Sequence, residues 1–326
     1  MALTLPPNAI RLVDPWGASH AALRFKAESP APVAAGKGLG NTSAPCLNVE
    51  PEVGKRQRMD LGLKGRAALI TGASKGIGRA IAHGLAEEGV RLALLARTQT
   101  VLQAAADEIR AVTGTTVLTL PTDIRDAAAV VTSVERARAE LGPLHILVNN
   151  AGGPIKRPER QIQWPEADWR DDIDTKILGM LRVTQAMIPH MPQDGTGRII
   201  NISGIAGSSV LASALTHGLN NAAMNHATSY LAADLAAARI TVNSVIPGLI
   251  ATEWRESWAE NAGRQRRLSK QQFLDETCRN WGIIAGRWGS MREVADAVAF
   301  IASDRAAYIN GAKLTVDGGY AINVRG

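Results

Sequence analysis

A glycine-rich run is the clearest chemical feature of this 326-residue chain. It reads Thr-Gly-Ala-Ser-Lys-Gly-Ile-Gly over 71–78, after an apolar stretch and at the start of a helical pattern. Glycines permit a tight turn and close backbone approach, and a helix N-terminus offers N–H groups and a positive dipole end. The run therefore predicts a binding site for the pyrophosphate of a dinucleotide. The residues predicted to form it are Gly72, Ser74, Lys75, Gly76, Ile77 and Gly78.

Charges near this run indicate which dinucleotide is bound. An acidic residue at the end of the second strand would accept hydrogen bonds from the ribose hydroxyls and repel a 2′-phosphate. This chain has Ala96 and Arg97 at that point, and Lys75 lies in the first loop. Two cations and no acid predict NADP(H) rather than NAD(H). The alternative is that both cations are solvated surface charges.

The elements that must position these residues follow a regular alternation from about residue 61 onward. Strands are predicted over 67–71, 91–96, 116–120, 146–149, 198–203, 241–246 and 313–316. Helices are predicted over 77–88, 98–112, 127–141, 166–191, 214–237 and 291–303. Such alternation implies right-handed crossovers and a parallel sheet covered on both faces. The predicted fold class is α/β, a single-domain Rossmann-type doubly wound parallel sheet with its ligand cleft at the carboxyl ends of the strands.

Composition divides the chain into two parts. Residues 1–58 are rich in Pro, Ala, Gly, Ser and Asn and show no sustained periodicity, so they are predicted to be a disordered leader or a start-site artefact. Residues 59–326 are ample for one nucleotide-binding and catalytic domain. The segment over about 253–288 interrupts the alternation and is predicted to be a helical lid.

Charge and cysteine usage exclude several classes of function. The net charge of +6 includes no dense Lys/Arg stripe, so no nucleic-acid partner is expected. No run of about 20 apolar residues predicts a membrane span. Cys46 and Cys278 lie too far apart to suggest a disulfide framework, and no cluster has metal-ligand spacing. A cytoplasmic location and no metal are the expectations.

The chain resembles the short-chain dehydrogenase/reductase family, in its ketoacyl-reductase-like branch, over about residues 61–320. Five motifs carry the resemblance in order: the 71–78 run, Asp123-Ile124, Asn149-Asn150-Ala151-Gly152, Pro247-Gly248 with Thr252, and Asp317-Gly318-Gly319. The resemblance implies an oxidoreductase that interconverts a carbonyl and an alcohol, assembled as a homodimer or homotetramer. It also implies that Asp123 contacts the adenine and that Pro247, Gly248 and Thr252 flank the nicotinamide. The cofactor residues implied in this way are Asp123, Ile124, Asn150, Ala151, Gly152, Pro247, Gly248 and Thr252.

The catalytic positions of the family are all changed in this chain. Where the family has Asn, Ser, Tyr and Lys, the aligned motifs place Lys176, Gly204, His217 and Asn221. The exchange of Asn and Lys looks reciprocal, which suggests that the site has kept its cation but moved it to the neighbouring helix. His217 can transfer a proton near neutral pH, and a nearby ammonium would lower its pKa. Asn221 would then hold ribose or water, and Gly204 would open space.

Three functions remain open at this point. The first is a working oxidoreductase with this rewired proton-transfer site. The second is a cofactor-binding homologue without catalysis, acting as a sensor or partner subunit. The third is a lyase or isomerase that uses the pocket without net redox change. Other hydroxyls near Gly204 are candidates to replace the serine: Ser203, a weak one if the strand is regular, and Ser208, Ser209 and Thr216.

The predicted lid carries features that bear on the substrate. Four tryptophans are expected either to wall the substrate or to pack the lid onto the core: Trp254, Trp258, Trp281 and Trp288. A basic run at 264–270 indicates either a coenzyme A or acyl-carrier thioester or a solvated face. An Ala-rich helix over 222–238 is expected to pack against a second subunit.

Overall fold

The computed structural model describes residues 59–152, 161–211 and 214–322, and the predicted leader over 1–58 lies outside the described residues. The strands are β1 Ala67–Thr71, β2 Arg91–Ala96, β3 Val117–Pro121, β4 Ile146–Asn149, β5 Arg198–Ile202, β6 Thr241–Pro247 and β7 Lys313–Val316. They form one parallel sheet in the order β3-β2-β1-β4-β5-β6-β7. The chain reverses its direction of travel between β1 and β4, as the doubly wound prediction requires.

The helices cover both faces of this sheet and form the lid. They are α1 Gly76–Glu87, α2 Gln99–Thr113, α3 Ala127–Leu141, α4 Glu166–Ile173, α5 Gly179–Met187, α6 Leu215–Asp234, α7 Glu253–Gln265, α8 Lys270–Trp281 and α9 Met291–Ala302. The predicted lid contains α7 and α8. Most ends agree with the sequence prediction within a residue or two, and α6 is shorter at its C-terminal end.

One predicted helix is not regular. The prediction of one uninterrupted helix over 166–191 is wrong, because a π-helical segment, Asp174–Leu178, separates α4 from α5. A π-helical turn holds an extra residue, which shifts every following side chain around the helix axis. Gly179 ends this segment against Ile124, where an added Cβ would lie 2.6 Å from the Ile124 Cδ1 atom. Apolar periodicity alone does not reveal such an insertion.

The core consists of two layers on either side of the sheet. Successive strand residues point to opposite faces, so Ala68 and Ile70 of β1 pack with α1, α2 and α9, and Ala67 and Leu69 pack with α3, α5 and α6. Both faces are buried, which explains why the strands are nearly continuous apolar runs. A third, smaller cluster lies within the lid.

A buried polar network joins α6 to the centre of the sheet. Asn149 Nδ2 donates to Asn201 Oδ1 at 3.0 Å, and Asn201 Nδ2 donates to Thr228 Oγ1 at 2.9 Å. Thr228 in turn donates to the Met224 carbonyl one turn earlier in α6. Buried amides are stable only when their hydrogen bonds are made. The network therefore fixes α6, which carries His217, against β4 and β5.

We predict that Thr228→Val lowers the free energy of unfolding by about 1–3 kcal/mol, because the buried Asn201 amide loses its acceptor. Urea unfolding of the full chain measures the change. Thr132→Val is the matched control, since Thr132 makes the same bond to the carbonyl four residues earlier, with Ala128, on an exposed surface. Equal losses in the two variants would show that the network does not stabilise the fold.

Candidate functional site

A cleft of about 770 Å³ lies at the carboxyl ends of the strands. It brings together most of the cofactor residues expected from the sequence: Gly72, Ser74, Lys75, Ile77, Gly78, Arg97, Asp123, Ile124, Asn150, Ala151, Gly152, Pro247, Gly248 and Thr252. Gly204 and His217 border the same cleft. Gly76 borders a smaller adjoining depression. Lys176 and Asn221 do not line the cleft.

Glycine is needed in the 71–78 run for two reasons: the backbone conformation of the turn, and the lack of space for a side chain. Gly72 and Gly76 have φ values of +65° and +58°, which side chains rarely adopt. A Cβ atom on Gly78 would lie 2.3 Å from the Gly72 carbonyl oxygen and 2.4 Å from Asn150 Nδ2. α1 begins at Gly76, so the N–H groups of its first turn are directed toward the cleft for a phosphate to accept.

Asn150 holds this loop in place. Its Nδ2 donates to the carbonyl oxygens of Thr71 and Gly72 at 3.0 and 3.1 Å. Thr71 Oγ1 accepts from the backbone N–H groups of Asn150 and Ala151, each at 3.0 Å. These bonds join the ends of β1 and β4, the two neighbouring strands at the centre of the sheet. The side-chain amide nitrogen of Asn150 is therefore already hydrogen-bonded to the protein backbone.

One end of the cleft, where the sequence predicts the adenosine, is rich in cations. Lys75 and Arg97 are exposed there, and among the described residues neither forms an ion pair with a carboxylate, although the charge of Arg97 contributes to lowering the pKa of Asp123. Asp123 accepts a 2.6 Å hydrogen bond from Arg125 Nη2, and this bond is the main reason why the pKa of Asp123 is lowered. Arg125 also pairs with Asp171 of α4. Lys75 and Arg97 are thus available to an added phosphate, whereas Asp123 is already paired.

The opposite end of the cleft is formed where β6 ends. The Gly248 N–H donates to the Val316 carbonyl at 2.9 Å, and a Cβ on Gly248 would lie 2.6 Å from the Asp317 Cβ atom. Thr252 caps α7 by accepting from the Arg255 N–H. The two family motifs, Pro247-Gly248 with Thr252 and Asp317-Gly318-Gly319, therefore meet at one edge of the sheet.

His217 and Asn221 lie on one face of α6 beside Gly204. A Cβ on Gly204 would lie 3.4 Å from His217 Nε2 and 2.9 Å from Asn221 Nδ2. Asn221 is fully buried, and among the described residues neither its amide nitrogen nor its amide oxygen has a hydrogen-bond partner. The Asn221 amide thus occupies the space that a side chain at position 204 would need.

Lys176 lies in the π-helical segment and is buried, with 6% of its surface exposed. A Cβ on Gly152 would lie 3.9 Å from its Nζ atom, which places the amine behind the loop that follows β4. Burial lowers the pKa of Lys176 to about 8, and the Asp172 carboxylate opposes that change. Asp172 accepts a 2.8 Å hydrogen bond from Asn220 of α6, so the two helices are joined beside the lysine. β4 and β5 are neighbours, so the loops that carry Gly152 and Gly204 are adjacent.

The other candidate hydroxyls contribute little to the cleft. Ser208, Ser209 and Thr216 do not line it, and Ser203 borders it with its hydroxyl 3.2 Å from that of Ser244. Tyr230 is exposed on the far part of α6. The tryptophans divide in role: Trp281 borders the cleft, whereas Trp258 stacks on Trp288 inside the lid, with ring centroids 6.2 Å apart. Trp254 is 56% exposed and lies outside the cleft.

The basic run of the lid is exposed, and part of it is neutralised by lid carboxylates. Arg266 lies 2.6 Å from Glu276, and Lys270 lies 3.4 Å from Glu256. These pairs favour the solvated-face interpretation over an anion-binding role. Sequence reasoning also missed several polar cleft residues: Asp171, Thr175, Arg255, Asn280 and Tyr320.

Within the described residues, no group of three or more His, Cys, Asp or Glu side chains is placed to hold a metal ion. The same part of the chain has no helix that is long and apolar enough to cross a membrane. The fold and the glycine loop together define a dinucleotide-binding α/β protein with its cleft at the point where the strand order reverses.

Comparison with known proteins identifies the family. A profile described as enoyl-(acyl carrier protein) reductase matches residues 72–321. The 3-oxoacyl-acyl-carrier-protein reductase FabG of Escherichia coli (strain K12) is 35% identical over 259 residues, covering 79% of this chain and 98% of FabG. Gluconate 5-dehydrogenase of Gluconobacter oxydans (strain 621H) is 32% identical, with 80% and 97% covered. L-Sorbose reductase from Gluconobacter frateurii, solved with NADPH and L-sorbose, superposes with a TM-score of 0.77 at 30% identity, covering 82% of this chain and all of that one.

The chain therefore belongs to the short-chain dehydrogenase/reductase family of oxidoreductases and is FabG-like. The fold and the family expected from the sequence are confirmed.

We predict that Lys176→Met raises the free energy of unfolding at pH 7. The fall of the Lys176 pKa from 10.5 to about 8 corresponds to a penalty of roughly 3 kcal/mol for burying the ammonium. The Lys176 amine binds its proton more tightly in the unfolded chain than in the folded one, so the free energy of unfolding of the wild type should rise between pH 8 and pH 10.5. Over the same range, the difference in stability between the wild type and Lys176→Met should disappear. Urea unfolding across this range tests the window. The exposed Lys313→Met is the control, and an equal pH dependence in both variants would contradict the buried charge.

We also predict that Gly204→Ser is destabilising by about 1–3 kcal/mol, because its Cβ collides with the Asn221 amide. Asn221→Ala should relieve part of that cost, so a double-mutant cycle should give a non-additive free energy. Gly152→Ser is the comparison, since a Cβ there meets its nearest neighbour at 3.9 Å. Additive effects at 204 and 221 would show that the two positions are not coupled through shared space.

Proposed function

We propose that this protein is an NADP(H)-dependent oxidoreductase that interconverts a carbonyl and an alcohol, with His217 as its proton-transfer residue. The observation that carries the proposal is the position of His217. It borders the cofactor cleft beside Gly204, at the α6 position where the family has tyrosine. A histidine can exchange a proton near neutral pH without assistance.

The cofactor would be held by residues that already face the cleft. The N–H groups at the start of α1 would bind the pyrophosphate, and Lys75 and Arg97 would bind the 2′-phosphate. Pro247, Gly248 and Thr252 would flank the nicotinamide, which when bound supplies or accepts the hydride. Support for the 2′-phosphate comes from the exposure of both cations at the cleft, and from the NADPH bound by the L-sorbose reductase relative.

Three side chains near the cleft would have separate roles in proton transfer: His217, Lys176 and Asn221. In the reducing direction, the imidazolium of His217 would give its proton to the substrate oxygen as the hydride reaches the carbonyl carbon. The Lys176 ammonium, held behind the neighbouring loop, would lower the pKa of His217, which suits the imidazole better to accepting the proton in the oxidising direction or to donating a hydrogen bond than to acting as a strong acid. Asn221 is buried, so we assign it to filling the space beside Gly204 and to positioning His217 one turn away on α6.

The substrate would be a small carbonyl compound or its alcohol. FabG is a reductase of 3-oxoacyl groups on acyl-carrier protein, and the sorbose enzyme reduces a sugar, so both thioesters and sugars are candidates. The apolar cleft residues Leu249, Ile250 and Trp281 favour an acyl chain. An exposed stripe on α6 that includes Leu215, Leu219 and Tyr230 supports a homodimer or homotetramer. The cytoplasmic location expected from the sequence stays a prediction.

The test is NADPH oxidation by the full-length protein with acetoacetyl-CoA and L-sorbose, and NADP⁺ reduction with gluconate. We expect turnover with at least one of them. His217→Gln should lower kcat by about 10²- to 10⁴-fold and leave NADPH binding intact, because glutamine keeps a polar group but cannot transfer a proton. His226→Gln is the matched control on the exposed side of the same helix, and its kcat should equal that of the wild type.

Three results would overturn the proposal in whole or in part. NADPH binding without oxidation by any of these compounds would favour the non-catalytic homologue. Conversion of a substrate while the bound nicotinamide keeps one oxidation state would favour the lyase or isomerase. Turnover that survives His217→Gln would leave an oxidoreductase but remove His217 from the proton-transfer role.

A further inference from the structure

A tyrosine in the turn after the last strand, β7, borders the cleft. Tyr320 follows β7 by four residues and borders the same cleft as His217, with its ring half-buried against the apolar cluster of the lid. The chain has three tyrosines, and the other two, Tyr230 and Tyr308, are exposed outside the cleft. Tyr320 is therefore the phenol that this chain offers to a molecule bound in the cleft.

The backbone around Tyr320 is held firmly by the Asp317-Gly318-Gly319 turn. The Asp317 carboxylate accepts from the N–H groups of Gly319 and Ala321 at 2.9 and 2.7 Å, on both sides of the tyrosine. Gly318 and Gly319 have φ values of +61° and +82°, so the turn depends on glycine. The Gly318 carbonyl accepts from Ala285 N–H of the lid segment at 2.9 Å. A preorganised backbone of this kind limits where the ring can go.

The same turn places Tyr320 at the end of the cleft assigned to the nicotinamide. Asp317 packs against Gly248, and the Gly248 N–H is bonded to the Val316 carbonyl. Leu249 and Ile250, which follow Gly248, border the cleft with Tyr320. The adenosine end, marked by Arg97, is formed by β2 on the other side of β1.

The hydroxyl of Tyr320 has no hydrogen-bond partner among the described residues. Because Tyr320 also borders the cleft, its hydroxyl is accessible to a molecule bound there. Burial raises the pKa of Tyr320, so the group stays a neutral phenol with a proton to share at neutral pH. The complementary partner is an acceptor such as a carbonyl oxygen. Gly204 cannot provide such a donor, and His217 is needed for the proton itself.

We propose that Tyr320 donates a hydrogen bond to the carbonyl oxygen of the substrate and orients the carbonyl for reduction. This inference rests on the proposed function. No bond within Tyr320 is broken: its hydrogen stays on Oη, the hydride goes to the carbonyl carbon, and the transferred proton comes from His217. The tyrosine that the family carries on α6 would thus be replaced by two groups, a histidine for proton transfer and a phenol from the C-terminal turn for orientation.

The test uses the full chain labelled with ¹³C at the ζ carbon of tyrosine, which gives three resonances that single Tyr→Phe variants assign. The complex with NADP⁺ is titrated with acetoacetyl-CoA, and separately with L-sorbose. Cofactor and ketone are both oxidised, so no hydride transfer takes place and contact is measured without turnover. We expect the Tyr320 resonance to shift as the ketone binds and the Tyr308 resonance to stay unchanged.

The variants give the second readout. Tyr320→Phe keeps the ring that packs on the lid and should lower ketone affinity by roughly fivefold to tenfold, with NADP⁺ affinity and thermal midpoint unchanged. Tyr308→Phe, on an exposed side chain, should change none of these values.

The outcomes separate this inference from the proposed function. Ketone binding with an unmoved Tyr320 resonance and an unchanged affinity in Tyr320→Phe would overturn the role of Tyr320 and leave carbonyl reduction standing. A shifted Tyr320 resonance with a ketone that never oxidises NADPH would support the contact and overturn reduction of that ketone.

Discussion

The hydrogen bonds between Asn150 and the phosphate loop are the constraint on which the cleft depends. They join the ends of β1 and β4 so closely that position 78 has no room for a side chain. All the neighbouring strands are parallel to this pair, so the ends of β5, β6 and β7 reach the same edge of the sheet. Gly204, Gly248 and Tyr320 therefore border one cleft although they lie far apart in the sequence. A cofactor bound to the loop would meet the substrate side without any rearrangement of the core.

The altered catalytic positions are complementary in volume and charge. The amide of Asn221 fills the space that a side chain on residue 204 would need, so glycine at 204 accommodates asparagine at 221. Lys176 is a buried cation whose depressed pKa shows that its position costs stability. Such a cost is a reason to look for function at the site.

The fold was predictable from the sequence because apolar strands and Gly-rich turns are local signals. The Thr-Gly-x-x-x-Gly-x-Gly pattern predicted a glycine loop after β1, and Lys75 and Arg97 predicted the cation-rich end of the cleft. The π-helical segment was not predictable, because one inserted residue leaves the apolar periodicity almost unchanged. The burial of Lys176 and Asn221 depends on packing between α4, α6 and the strand ends, which no spacing rule reports. Tyr320 was missed although one signal was available: it follows a glycine turn at the carboxyl end of a strand, where cleft residues are expected.

In the proposed function, His217 works in the electrostatic field of a cation displaced to residue 176. The most direct measurement is an NMR titration of the His217 imidazole in the NADP⁺ complex of the full chain, with wild type compared with Lys176→Met. Because a nearby ammonium disfavours the imidazolium, we predict that the His217 pKa is higher in the variant than in the wild type and that the variant leaves the exposed His226 unaffected. Equal His217 pKa values in the two proteins would contradict it, since the lysine would then be too distant or too well screened to act on the histidine.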